Sequence, residues 1–348
     1  MSLTGASSST PHVKLGVVGA GAWGTTLASL ASLRVEARLW AREPEVVDSV
    51  RTSRENRLFL PGFRLPDDLA VTGDLEEALA DVDVAVIAVP AQHLRAAITA
   101  ARAFIPPNAV VVSVAKGIEQ GTGLRMSEVL SEVLVDHDPR GIGVLSGPNL
   151  AREVVDRQPA ATCVAFPDLA HAKTVQSIFM SDALRVYTSD DVVGCETGGA
   201  AKNVIAIAAG VADGLGCGMN TKAAVISRGL AEITRLGVAL GGRSLTFLGL
   251  AGNGDLIATC SSPHSRNRRL GEALATGAAL DDLVAGTHSV AEGVETAPAI
   301  VELARKVGVD MPISATVAAL LGGDLSVSEV VPLLMRRSPK DELDGLNG

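Results

Sequence analysis

Lys14-Leu15-Gly16-Val17-Val18-Gly19-Ala20-Gly21-Ala22-Trp23-Gly24 is the stretch on which the fold turns. Its apolar part, ending at Val17-Val18, has the length and β-branching of a buried strand. Gly19-x-Gly21-x-x-Gly24 follows, and Leu27, Leu30 and Ala31 then recur at helical spacing. Strand, glycine turn and helix are the context a dinucleotide fingerprint needs. Gly19 suits the tight turn, Gly21 lets a pyrophosphate approach the backbone, and Gly24 lets the helix pack close to the strand. The helix N-terminus offers free N–H groups and a positive dipole end to the phosphates. The alternative is a glycine-rich turn in some other α/β fold.

Outward from this stretch, the chain has room for two domains in its 348 residues. With 47% hydrophobic and 20% charged residues it reads as soluble and globular. A net charge of −9, no basic block and only 3% aromatic residues argue against nucleic-acid binding. The four cysteines (Cys163, Cys195, Cys217 and Cys260) form no C-x-x-C pair, which suggests ordinary buried thiols in a reduced, cytoplasmic protein. The scattered histidines offer no metal site. No apolar run reaches the roughly 18 residues of a membrane span. Residues 1–12 lack the hydrophobic core of a signal peptide and are expected to be a disordered tail. Lys340-Asp341-Glu342-Leu343 spells a retention signal but is not C-terminal.

A second strand is expected at Glu36–Trp40. Arg42 and Glu43 follow it, about 20 residues past the glycines, where an acid would take the adenosine ribose and an arginine a 2′-phosphate. Both are present, so the signal is split; either one alone is equally consistent with a solvated loop charge. Arg51–Pro66 reads as an irregular loop, Ala70–Thr72 as a short strand, and Asp74 with Glu77 as a helix start. Val82–Val89, Val110–Val114 and Ile142–Leu145 are near-continuous apolar runs, the mark of strands buried on both faces. Thr162–Phe166 and Leu184–Tyr187 complete a strand-rich half. The alternation implies a doubly wound sheet, with ligands beyond the carboxyl ends of its strands. Lys116 and Asn149 fall at such ends. From about Gly198 to Pro332 the spacing turns helical, with one helix expected at Lys222–Leu236. The expected division is 13–195 for the dinucleotide-binding domain, 196–335 for an all-helical substrate domain and 336–348 for a C-terminal tail.

Three stretches of this chain can carry chemistry. Lys202 follows Gly198-Gly199 and is expected to begin a helix, where the dipole disfavours an ammonium and favours a general base. The alternative is a solvated lysine. Ser262 and Pro263 suit an N-cap and first helical residue. Arg266, Arg268 and Arg269 would then oppose the dipole, a misfit that makes sense if an anion binds there. The alternative is a cationic surface turn. Asp255, after a run of glycines, either orients a lysine or caps the next helix.

These residues resemble those of the bacterial NAD(P)-dependent glycerol-3-phosphate dehydrogenases. The matching motifs are Gly19–Thr25, Val114–Glu119, Ser146–Glu153, Gly199–Gly214, Asn220–Gly237, Gly249–Asp255 and Arg266-Asn267. The resemblance implies an α/β fold, an N-terminal Rossmann-like doubly wound sheet followed by an all-α C-terminal domain. It implies NAD or NADP as cofactor, a homodimer, and interconversion of sn-glycerol 3-phosphate and dihydroxyacetone phosphate for phospholipid synthesis. Lys202 would be the proton acceptor, with Lys116 and Asp255 beside it in the catalytic set. Gly19, Gly21, Ala22, Trp23, Gly24, Arg42, Lys116, Ala151, Arg266, Val290 and Glu292 would bind the cofactor. Lys116, Gly147, Asn149, Lys202, Asn203, Asp255, Ser265, Arg266 and Asn267 would bind substrate. Two departures are Asn149, where the family more often has Ser or Thr, and Glu196-Thr197, which replaces a more apolar pair. Other readings are a 3-hydroxyacid dehydrogenase of the same plan and a non-catalytic dinucleotide sensor.

Overall fold

The structure, a computed structural model, describes residues 13–285 and 291–339 together with 341, 342 and 345. The expected tail at 1–12 and the candidate Val290 lie outside the described residues. The first half runs β1 (Lys14–Val18), α1 (Ala22–Ser32), β2 (Glu36–Trp40), α2 (Pro44–Ser53), β3 (Ala70–Thr72), α3 (Leu75–Leu79), β4 (Val84–Ile87), α4 (Ala91–Ala101), β5 (Val110–Ser113), α5 (Met126–Val133), β6 (Ile142–Ser146), α6 (Ala151–Val155), β7 (Ala160–Ala165), α7 (Leu169–Phe179) and β8 (Leu184–Ser189). The second half runs α8 (Val192–Gly214), α9 (Met219–Ala239), α10 (Asp255–Ser261), α11 (Arg266–Ala275), α12 (Leu280–Ala285), α13 (Glu292–Lys306), α14 (Pro312–Leu321) and α15 (Val327–Met335).

The strands form one sheet in the order β3-β2-β1-β4-β5-β6-β7-β8. Neighbours are parallel except β6 and β7, which are antiparallel. The order reverses at β1, so the crevice beside the glycine turn is the switch point where such sheets bind ligands. β4 shows why its residues form a central strand. Val84 and Val86 pack into the cluster with Leu15, Leu27 and Val112 on one face. Ala85 and Ile87 pack into the cluster with Leu94, Ile98 and Val111 on the other. A strand with two buried faces tolerates no polar alternation. Asp74 caps α3 by accepting from the N–H groups of Glu76 and Glu77, as its spacing with Glu77 implies.

Among the described residues from α8 onward there are helices and turns but no strand. α8 is buried on every side, as expected of a core helix surrounded by others. It packs against α9, α10, α11, α13 and α14. Its N-cap is Asp191, so the expected boundary between 195 and 196 falls inside the helix.

Two expectations about helix starts are corrected. Lys202 does not begin a helix, because α8 opens at Val192 and carries Lys202 in its interior. Gly198 and Gly199 look like breakers but serve packing: a Cβ on Gly198 would press on the Ala251 carbonyl, and one on Gly199 would lie 2.6 Å from Ser146 Oγ. The dipole argument for Lys202 therefore fails. Likewise Ser262 closes α10, and the N-cap of the next helix is Ser265, whose hydroxyl accepts from Arg268 N–H at 3.3 Å. Pro263 lies in the turn between the two helices.

Candidate active site

The glycine turn has the shape of a phosphate cradle. Gly19 has φ +113°, a left-handed value, and a Cβ there would collide with the Ala88 carbonyl. A Cβ on Gly24 would collide with the Gly19 carbonyl. Gly21, by contrast, faces open space, with nothing within 4 Å of its Cβ position. It is the N-cap of α1 and supplies no capping side chain, so first-turn N–H groups are left to an incoming anion. Buried Asn56 braces the turn by donating to Ala20 O at 2.8 Å and to Thr25 Oγ1 at 2.9 Å. Asn56 lies in the Arg51–Pro66 stretch, expected to be an irregular, functional loop, of which α2 takes the first three residues. Ala22 and Trp23 open α1, and the Trp23 indole N–H is buried without a protein acceptor. Ala151 opens α6, whose carbonyl there lies 3.4 Å from Thr26 Oγ1. Arg42 lies just past β2, exposed, and donates to Glu43 at 2.7 and 3.0 Å.

At the carboxyl ends of β5 and β6 the loops bring Lys116 and Gly147–Asn149 against α8 and α10. Lys116 Nζ donates to Gly147 O at 2.8 Å and to Asp255 Oδ2 at 2.7 Å. Lys202 Nζ lies 3.0 Å from Asp255 Oδ1 and donates to Thr259 Oγ1 at 2.7 Å. Asp255 thus bridges the two lysines, and the capping alternative is set aside: it is the first residue of α10, and its carboxylate points to the ammonium groups. A π-helical turn at Leu250–Gly254 delivers it there. Lys202 and Asp255 are buried and Lys116 is half-buried. Burial lowers the Lys116 pKa; Asp255 opposes that, and Lys202 adds to it. Burial alone would raise Asp255, yet the two lysines hold it below the usual carboxylate value. One carboxylate shared by two ammonium groups leaves a buried surplus of positive charge, which suits an anionic or carbonyl-bearing ligand.

A second chain of contacts ties this triad to α11 and α13. Asn203 donates to Lys116 O at 3.1 Å, Asn267 donates to Asn203 Oδ1 at 2.9 Å, and Gly293 N–H donates to Asn267 Oδ1 at 3.0 Å. Glu292, at the start of α13, lies 3.5 Å from Asn203 Nδ2. Burial raises its carboxyl pKa against the pull of Arg266, Lys202 and Lys116. Arg266 is exposed at the start of α11. Its neighbour Arg268 turns inward, 2.9 Å from Asp213 and 3.2 Å from Glu272, so that arginine serves the fold. The dipole misfit therefore concerns fewer charges than the sequence suggests.

Lys116, Gly147, Lys202, Asn203, Asp255, Asn267 and Glu292 are thus joined in one network. Gly19 to Gly24, Arg42 and Ala151 are not bonded to it and line the sheet's crevice instead. Both polar atoms of the Asn149 amide are buried without a partner, as are Ser146 Oγ and Thr197 Oγ1. Orphaned polar atoms at the strand ends are the trace of a site that a polar ligand completes. Sequence reading missed Thr259; its signal was the i, i+4 spacing from Asp255, which puts both on one helix face.

Comparison with known proteins follows the same division. Residues 14–172 match the family model of the NAD-dependent glycerol-3-phosphate dehydrogenase N-terminus, and residues 191–332 that of its C-terminus. A glycerol-3-phosphate dehydrogenase (NAD(P)+) of Corynebacterium glutamicum is 51% identical over 332 residues, 95% of this chain and 100% of that protein. One from Thermobifida fusca is 50% identical over 335 residues, 96% of this chain and 99% of that protein. The crystal structure of a glycerol-3-phosphate dehydrogenase from Coxiella burnetii superposes with TM-score 0.88 at 34% identity, covering 93% of this chain and 99% of that one.

Proposed function

The chain belongs to the NAD-dependent glycerol-3-phosphate dehydrogenase family and interconverts sn-glycerol 3-phosphate and dihydroxyacetone phosphate with NAD(P); from that premise we propose how its residues share the work. Family membership sets aside the hydroxyacid dehydrogenase and the non-catalytic sensor. Gly19, Gly21, Ala22, Trp23, Gly24, Arg42, Ala151 and Glu292 hold the dinucleotide, a reading supported by the open cradle and the orphaned Trp23 N–H. A bound nicotinamide supplies the acceptor and donor of hydride.

Lys202, as the neutral amine, takes the C2 hydroxyl proton in oxidation and, as the resulting ammonium, returns it in reduction. Lys116 polarises the C2 oxygen, and Asp255 holds both lysine nitrogens in register. Gly147, Asn149 and Asn203 position the substrate, while Ser265, Arg266 and Asn267 hold its phosphate. With two lysines at the carbonyl, the proposed mechanism calls on no metal. The observation that carries this reading is the Lys116–Asp255–Lys202 triad, which joins the loop past β5 to buried groups on α8 and α10. The dinucleotide unit runs from residue 13 through β8, the substrate unit begins with α8 at Val192, and a tail follows α15. The product supplies phospholipid synthesis, and the enzyme is a cytoplasmic homodimer. Free cysteines suit a reducing compartment, and among the described residues no helix is long and apolar enough to cross a membrane.

Lys202→Ala tests the assignment. It should lower kcat by about 10²–10⁴-fold, the worth of general acid–base help, while NADPH binding measured by fluorescence titration stays within a few-fold. Turnover near that of the unaltered enzyme would remove Lys202 from the role.

A further inference from the structure

Cys163 and Cys195 stand far apart in sequence and were read as ordinary buried thiols, yet their Sγ atoms lie 4.0 Å apart. Cys163 is on β7, partly exposed, and Cys195 is on the first turn of α8, fully buried. The contact therefore joins the sheet to the helix that carries Lys202. A disulfide needs about 2.05 Å, so each sulfur would move only about 1 Å to close it. The two thiols are unequal: hydrogen bonding from Cys195 favours the Cys163 thiolate, whereas Cys195 itself is pushed well up. A partly exposed sulfur in contact with a buried one is the arrangement of an attacking and a resolving cysteine. The other cysteines lack it: Cys260 is buried with its thiol pushed up to about 12, and half-buried Cys217 has no sulfur partner among the described residues.

We propose that Cys163 and Cys195 form a peroxide-responsive dithiol whose disulfide staples α8 to the dinucleotide-binding sheet and slows turnover. The Cys163 thiolate attacks one oxygen of hydrogen peroxide. An S–O bond forms, the O–O bond breaks, and the departing oxygen leaves as water after taking a proton. Two electrons pass from sulfur to oxygen. The Cys195 sulfur then attacks the sulfenic sulfur, an S–S bond replaces the S–O bond, and the hydroxide leaves with the Cys195 proton as a second water.

The consequence for turnover follows from the neighbours. Ser146 pairs opposite Cys163 in the sheet, and Thr162 Oγ1 donates to Ser146 O at 3.1 Å. Ser146 precedes Gly147, whose carbonyl holds Lys116. Cys195 precedes Glu196 to Gly199, the segment of α8 packed on Ser146 and Ala251. Drawing the sulfurs together shifts the two sides of the triad against each other. This kinetic half rests on the proposed role of Lys202; the bond itself does not.

The test treats the full-length enzyme with hydrogen peroxide, then maps peptides and measures the intact mass. A mass lower by two hydrogens, a Cys163–Cys195 linked peptide, and kcat reduced ten-fold or more and restored by dithiothreitol are expected. Cys163→Ser should keep its basal kcat in reductant and lose the peroxide response. The proposal is overturned by sulfinic acid at Cys163 with Cys195 still reduced, by linkage through Cys217 or Cys260, or by unchanged kcat in the linked protein. The mapping reads the unaltered chain, so it stands even if a serine variant folds badly.

Discussion

Arg266 and Arg42 are exposed arginines to which the proposed function gives an anion. Arg268, beside Arg266, is absorbed by Asp213 and Glu272. Arg266 is exposed at the start of α11, and its charge acts on Glu292, whose raised carboxyl pKa it pulls down. If Arg266 grips the substrate phosphate, its loss acts at a point remote from the reacting carbon. A small triose phosphate has few other handles for positioning, so Arg266→Ala should lower kcat as well as raise KM. Dihydroxyacetone, which lacks the phosphate, is the control: it should react poorly and hardly notice the mutation. Equal losses for both ketones would put the phosphate site elsewhere. Among the described residues Arg42 pairs with its sequence neighbour Glu43 on the surface, a contact worth at most about 1 kcal/mol. A 2′-phosphate can outcompete it. NADPH should therefore be used at least as well as NADH, and Arg42→Ala should weaken NADPH binding more than NADH binding. Equal weakening in titrations of both cofactors would show that Arg42 does not read the phosphate.

Elements differ in how much of themselves they wrote into the sequence. β1, the glycine turn and α1 were legible because strand, turn and helix are decided locally by Val17-Val18, Gly19 and the Leu27 face. α8 was legible as a helix but not in its start, because Gly198 and Gly199 resemble breakers until Ala251 and Ser146 are seen against them. For the same reason the Asp255 bridge was only one of two options: the π-helical turn that aims it is a packing outcome. Ser265 displaced Ser262 as a cap because α10 ends at Ser261 and needs the intervening turn. Glu232 on α9 was invisible as anything but a helix charge. It is buried and accepts from Ile313 N at 2.6 Å, Ser314 N at 3.1 Å and Ser314 Oγ at 3.0 Å, capping α14 from another helix. Burial pushes its carboxyl up to about 7, against those hydrogen bonds and from an ordinary 4.5. The folded state therefore binds this proton more tightly than the unfolded chain does. The stability it contributes is fully present below about pH 4.5 and is lost as pH rises through 7, on the order of 3 kcal/mol. Urea unfolding at pH 5 and pH 8 should show this loss in the unaltered enzyme and a flatter dependence in Glu232→Gln. The same pH slope in both would clear Glu232 of the effect.

At the scale of the molecule the question is what makes a sheet and a helical bundle act as one body. The triad spans them, through Lys116 on one side and Lys202 with Asp255 on the other. Glu196, one of the two departures from the family pattern, adds a second tie. From the first turns of α8 its carboxylate accepts from Arg125 at 2.7 Å and from Ser127 N–H and Oγ at 2.8 and 2.5 Å, at the start of α5. Arg125 in turn pairs with Glu128 at 2.8 Å and bridges back to Ile118, two residues from Lys116. Glu196→Ala would leave a buried N–H and hydroxyl without an acceptor and Arg125 with half its partners, a loss of about 3 kcal/mol. The two halves can be watched separately. Both tryptophans, Trp23 and Trp40, lie in the dinucleotide half, while far-ultraviolet circular dichroism is weighted toward the helical half. In the unaltered enzyme the two signals should report one coincident unfolding transition. In Glu196→Ala the fluorescence and dichroism midpoints should separate. Coincident midpoints with a loss below about 1 kcal/mol would mean that the triad and the other contacts of α8 couple the domains without Glu196.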